Sequence, residues 1–129
     1  MAYTLSVGKA NRSIIMSKVY CVTEPITYNN GIPVPLFDIS PAREFGEIVV
    51  LSEHNQSMAA SVPMVRMLRE KLKDFGDGDY ILPVGDPVVI ATVAAIASDL
   101  NHGYFQMLKW NKRMRTYEVF KINAFGNKL

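Results

Sequence analysis

Residues 79–110 read DYILPVGDPVVIATVAAIASDLNHGYFQMLKW, and their punctuation decides the fold. Residues 80–84 are short, apolar and β-compatible, with Pro83 as the weak point of the strand. Gly85-Asp86-Pro87 then stops one element and starts another. Asp86 suits a helix N-cap, and Pro87 falls at the first helical position, where its missing N–H costs nothing. Residues 88–100 follow, apolar almost all round, with Thr92, Ser98 and Asp99 as the main polar breaks. A helix apolar on every side is expected to be buried on every side, with Ile90, Val93, Ala94 and Ala97 against apolar neighbours. Asn101-His102-Gly103 closes it, and residues 104–110 form the next strand.

Upstream, KVYCVT (18–23) is β-branched and aromatic and reads as a strand. Glu24-Pro25 ends it, and Tyr28-Asn29-Asn30-Gly31 is a turn signal. IPVPLF (32–37) is apolar, but its two prolines exclude a central strand and predict an edge strand or an extended cover. Ser40 is expected to cap a short helical turn over 41–45, which Gly46 closes. EIVVL (47–51) predicts a strand covered on both faces. Residues 53–61 read as a polar loop in which Ser61 caps an amphipathic helix over 62–75. There Val65, Leu68, Leu72 and Phe75 recur at spacings of three and four, and charged side chains take the other faces. Gly76-Asp77-Gly78 ends that helix.

Downstream, residues 104–110, a turn at 111–114 and residues 115–122 predict a hairpin in which Trp110 faces Arg115 and Leu108 faces Tyr117. Residues 1–16 carry no period and read as an N-terminal arm; 123–129 read as a tail. One α/β domain is left over 17–122. Strands alternating with helices predict a mixed, mostly parallel sheet with a βαβαβ core and an antiparallel C-terminal hairpin. The expected parallel set is 47–51, 80–84 and 104–110, and 115–122 adds an antiparallel edge.

The 129 residues suit one core. A hydrophobic content of 49% is high for a short chain and suggests apolar surface that meets a partner, a second copy being the simplest. A homodimer is therefore expected. No apolar run approaches the ~18 residues of a membrane span, and the N-terminus lacks the pattern of a secretory signal. Cys21 is the only cysteine, which excludes an intrachain disulfide and fits a reducing compartment. Residues 104–129 hold six basic residues and one acid, whereas the rest of the chain holds eight basic and eleven acidic ones. A basic C-terminal end thus sits on a mildly acidic body.

Two stretches could carry function. Lys109, Trp110, Lys112, Arg113, Arg115 and Tyr117 put basic and aromatic side chains in one hairpin, a composition that can neutralise phosphates and stack a base. A Trp110–Arg115 stack would suit that chemistry. A solvated turn whose charges protect a sheet edge accounts for the same residues. Gly85 and Asp86, at a strand end and a helix start, could form a ligand turn. Against this, no glycine-rich fingerprint is present, and the Asp86 carboxylate would fill the helix N-terminus and repel a phosphate. His54 and His102 lack neighbours at metal-ligand spacing, and Cys21 lies in an apolar strand. No nucleophile elbow, zinc half-site or P-loop is found. No catalytic residue, cofactor or metal is therefore expected. The alanines at 91, 94, 95 and 97, with Met58, Met64 and Met67, fit either packing on the sheet or contact with another subunit.

Three segments carry a resemblance. They are FDISPAREFGEIVVL (37–51), DYILPVGDPVVIATVAAIA (79–97), and the hairpin residues Lys109, Trp110, Arg113, Arg115 and Tyr117. In overall pattern, about two-thirds of the chain (37–122) resembles a family of small proteins of tailed bacteriophages. The resemblance carries over no catalytic residue and no ligand. It implies an accessory protein acting in the cytoplasm of an infected bacterium.

Three function classes follow. The first is a non-enzymatic accessory protein that binds a macromolecule, nucleic acid or a host protein, through the basic hairpin. The second is a small-ligand or nucleotide binder at the Gly85-Asp86-Pro87 turn. The third is a structural, self-assembling protein.

Overall fold

The computed structural model describes residues 17–53 and 62–129. The expected N-terminal arm, His54, Met58 and the Ser61 cap lie outside the described residues.

The apolar hexapeptide KVYCVT forms β1 (Lys18–Thr23), with five of its six residues buried. It is followed by β2 (Ile26–Asn29), β3 (Ile32–Pro35), a 3-10 turn (Ser40–Phe45) and β4 (Glu47–Ser52). Next come α1 (Val62–Lys71), β5 (Tyr80–Leu82), α2 (Pro87–Leu100), β6 (Tyr104–Asn111) and β7 (Thr116–Asn123). Five strands make one sheet in the order β4-β1-β5-β6-β7. The first four are parallel, and β7 pairs antiparallel with β6. The expected α/β domain is therefore present, with one addition: β1, not assigned to the parallel set from sequence, lies between β4 and β5.

From β1 the chain moves to one side, to β4, and then twice to the other, to β5 and β6. If all crossovers share one hand, the first must pass over the opposite face from the other two. The packing agrees. On one face α1 and α2 cover Tyr20, Val22, Leu51, Ile81 and Phe105. On the other, the connection from β1 to β4 supplies only the 3-10 turn, whose Ala42 packs against Val19, Cys21, Leu82, Leu108 and Tyr117. By the described residues, the second face is thus thinly covered.

Several local expectations change. Ser40 does not cap the 3-10 turn but is its first residue; Ile39 holds the N-cap position without a side-chain bond, and Asp38 just before it accepts from both the Ser40 amide and its hydroxyl at 2.9 Å. β4 is an edge strand with Val50 exposed, not a strand covered on both faces. α1 ends at Lys71, and Leu72 and Phe75 reach the core from the turn that follows. Met64, considered for a subunit contact, is instead a core residue beside Leu68, while Val65 is only half-buried. α2 is not buried all round. Val89, Val93, Ile96 and Ala97 face the core, and Ile90 and Ala94 pack at its margin. Val88, Ala91 and Ala95 are exposed, because α2 has a sheet below it and a helix on one flank only.

Residues 26–35 form a separate two-stranded ribbon. Asn30 and Gly31 both have positive φ (53° and 80°), as a two-residue type I′ turn requires. The Leu36 amide donates to the Pro25 carbonyl, so 25/36 is a hydrogen-bonded rung. Alternation then makes 26/35 and 28/33 the rungs without bonds. Pro33 and Pro35 occupy those rungs, so their missing N–H groups leave the ladder intact and blunt the outer edge.

Candidate functional site

The tip of the β6–β7 hairpin is fixed by Asn111. Its Oδ1 accepts from the amides of Arg113 and Met114, both at 3.0 Å. Its carbonyl accepts from the Arg115 amide at 2.8 Å, and Arg115 turns the chain with φ 55°. Lys112, Arg113 and Arg115 are exposed on this tip. None has a carboxylate within ion-pair distance among the described residues, where the ion pairs are Arg69–Asp99 and Lys73–Glu70.

The register differs from the expected one by two residues. Trp110 lies opposite Tyr117, Lys109 opposite Glu118 and Leu108 opposite Val119. The Trp110–Arg115 stack is therefore replaced by an edge-to-face Trp110–Tyr117 pair, with centroids 4.9 Å apart at 68°. Tyr117 is buried and belongs to the core of the thinly covered face. Burial, then the nearby Cys21 and Asp38, raises its phenol pKa, which keeps the ring neutral. Tyr117 is thus a brace for Trp110 rather than a contact surface. Trp110 itself is 40% exposed.

Successive residues on a strand point to opposite faces. Lys109 therefore leaves the Trp110 face and sits with its Nζ 5.8 Å from the Phe120 ring centroid. Of the six predicted hairpin residues, Trp110 and Tyr117 share one face, Lys109 is on the other, and three cations hold the tip between them. Two contributors were missed. Asn111 is the organiser of the tip; an asparagine at the start of a turn was the available signal. Lys121 is exposed on the same face as Tyr117 and Val119 by period-two alternation.

The second predicted position, Gly85 with Asp86, sits where the strand order reverses between β1 and β5, at the carboxyl ends of the strands. A cavity of about 370 Å³ opens there, lined by Thr23, Glu24, Leu36, Phe37, Gly85 and Asp86 among others. Its floor is well tied. The Thr23 amide donates to the Val84 carbonyl, and the Glu24 amide to Ser52, both at 3.0 Å. The Ser52 hydroxyl donates to the Val22 carbonyl at 2.7 Å, which leaves Thr23 to donate to Ser52 Oγ. Gly85 has φ 119°, and a Cβ there would fall 2.3 Å from Thr23 Oγ1, so only glycine fits. Asp86 Oδ1 accepts from the Val88 amide at 2.7 Å, occupying the helix N-terminus as its cap. With two carboxylates and no cation among the described residues that line it, the cleft suits a cationic group rather than a phosphate.

Cys21 is fully buried, and burial pushes its thiol up to about 11. His102 follows α2 in a turn with φ 55°. No group of His, Cys, Asp and Glu among the described residues could hold a metal ion. No helix among them is long and apolar enough to cross a membrane.

No curated protein and no solved structure matches the chain. A protein-family model described as "Phage Pam3 gp32-like protein" does, over residues 17–124. That span includes every element from β1 to β7, together with the basic tip and the strand-end cleft. The chain therefore belongs to the phage Pam3 gp32-like protein family.

Proposed function

We propose that this phage protein is a non-enzymatic binding protein, acting in the infected bacterial cytoplasm, that holds single-stranded nucleic acid on the β6–β7 tip. One observation carries the reading: a half-exposed Trp110, braced by Tyr117, stands at the root of a turn whose cations have no acidic partner among the described residues. A ring already fixed by a neighbour loses little freedom when a base stacks on it, and the cations beside it can neutralise phosphates. Asn111 holds the tip in one conformation, and Lys121 extends the positive charge along the Trp110 face.

The test is fluorescence anisotropy with labelled single- and double-stranded oligonucleotides at two salt concentrations. Affinity should fall steeply with salt. Lys112→Ala with Arg113→Ala should flatten the log–log slope by roughly one to two units, at about 0.7–0.9 per phosphate. Trp110→Ala should cost about 1–3 kcal/mol for single strands and much less for duplex. Absence of binding at low salt would remove nucleic acid and leave an acidic host protein as the partner of this tip. Binding that ignores both substitutions would place the contact elsewhere.

A second reading is favoured by the cleft at the strand-order reversal: a small-ligand site. Glu24 and Asp86 with the apolar walls of Leu36 and Phe37 suit an amine carrying a hydrocarbon group, and the nucleotide version is not supported by this lining. Such amines should raise the melting temperature of the protein, and Glu24→Gln should abolish the rise. A panel of aliphatic and aromatic amines with no effect would end this reading.

A further inference from the structure

We infer that β7 is a dimerisation edge, and that two copies of this chain join their sheets by antiparallel β7–β7 pairing about Val119 or Phe120. The chain blunts its other strand edges. A strand edge displays unpaired N–H and C=O groups, and proteins blunt the ones they do not use. On β4, the opposite edge of the main sheet, Lys71 Nζ donates to the Leu51 carbonyl at 2.8 Å. On β3, Pro33 and Pro35 remove the outward donors. β7 has neither device. It runs for eight residues, TYEVFKIN, without proline, and pairs with β6 without interruption from Asn123 to Thr116. Among the described residues the backbone bond on its outer side is at its very end, where the Gly126 amide donates to the Asn123 carbonyl at 3.0 Å, and the stretch about Val119 and Phe120 carries none.

The exposed side chains fit the same partner. Val119 on one face and Phe120 on the other are exposed on this edge, so pairing would cover apolar surface on both faces. A twofold axis perpendicular to the sheet preserves each face, so opposed residues must have numbers of equal parity. Registers centred on Glu118 or Lys121 would set like charges against each other, which is unfavourable. Registers centred on Val119 or Phe120 avoid this. The Val119 register also sets Glu118 of one copy beside Phe120 of the other, whose ring carries the Lys109 ammonium. Among the described residues each copy has one such edge, so the assembly closes at two. This inference rests on the edge and not on the nucleic-acid reading; oligomer mass and oligonucleotide anisotropy fail independently.

The experiment is sedimentation velocity on the full chain at about 100 µM, a range in which weak dimers assemble, with two kinds of variant. The wild type should run as a dimer. Val119→Lys, which opposes two charges across the axis, should halve the mass while far-UV circular dichroism stays unchanged. Val119→Cys or Phe120→Cys, whichever lies on the axis, should form an interchain disulfide on mild oxidation, because facing strand residues lie within bridging distance; Thr116→Cys should not. Cys21 is buried and does not compete. A monomeric wild type, or a dimer that survives Val119→Lys and cross-links at neither central position, overturns the proposal.

Discussion

At the scale of single residues, burial decides which groups can react. Cys21 is fully buried in β1, and burial pushes its thiol up to about 11 from an ordinary value near 9. Tyr20, on the opposite face of the same strand, is pushed up to about 12, by burial first and then by Asp79. Both groups are neutral when protonated, and both have folded values above their unfolded ones. They therefore favour the fold fully below pH 9, and that contribution is lost as pH rises towards 11 and 12. Urea denaturation should give constant stability between about pH 7 and 8.5 and a decline above pH 9. Cys21→Val should remove the earlier part of the decline. A thiol reagent at neutral pH should label Cys21 only when the chain unfolds. Rapid labelling of the native protein, or stability that is flat to pH 11, would contradict this assignment.

At the scale of elements, α2 shows how far composition can mislead. Its apolar character runs all round, but only one side is covered, and alanine makes the open side cheap to leave in water. Two substitutions separate the sides. Ile96, 3% exposed, faces the sheet, and Ile96→Asp should unfold the domain, since a buried unpaired charge costs several kcal/mol. Ala91→Glu, on the open side, should change stability by no more than about 0.5 kcal/mol. Circular dichroism melts of both variants check this, and loss of the fold in Ala91→Glu would restore the fully buried helix. The β6–β7 hairpin teaches a related point. Shifting its register by two residues keeps every side chain on its face, so alternation cannot distinguish the two registers. The Asn111 hydrogen bonds close the turn and select the one in which Trp110 meets Tyr117.

At the scale of the molecule, the sheet has one thick face and one thin face. The helices sit on the first and the 3-10 turn on the second. The thin face carries Trp110, Val119 and Lys121, so the proposed nucleic-acid surface lies where the fold leaves the sheet least covered. The ribbon of β2 and β3 follows the carboxyl end of β1, and Leu36 and Phe37, just after the ribbon, line the cleft there. In the inferred dimer the two basic tips lie at opposite ends of the shared edge. At about 3.4 Å per residue the antiparallel registers separate them by roughly 34–41 Å. A continuous ten-stranded sheet would then present one basic tip at each end of the seam.

The order of strand, turn, helix and strand over 79–110 was legible in the sequence because its causes are local. Asp86 caps the helix that Pro87 begins, Asn30-Gly31 turns a ribbon, and apolar spacing marks the core of α1. The family resemblance was legible for the same reason, since it rests on contiguous segments. What the tertiary structure alone decided depends on partners far apart in the chain. β1 is an interior strand because it pairs with β4, 29 residues on, and with β5, 61 residues on. Lys109 parts from Trp110 because the sheet has two faces, and the strand-end cleft exists because the strand order reverses beside Gly85. Local propensity shapes each element, but the free energy that chooses among their arrangements comes from burial and pairing between elements, and no short stretch of sequence contains those contacts.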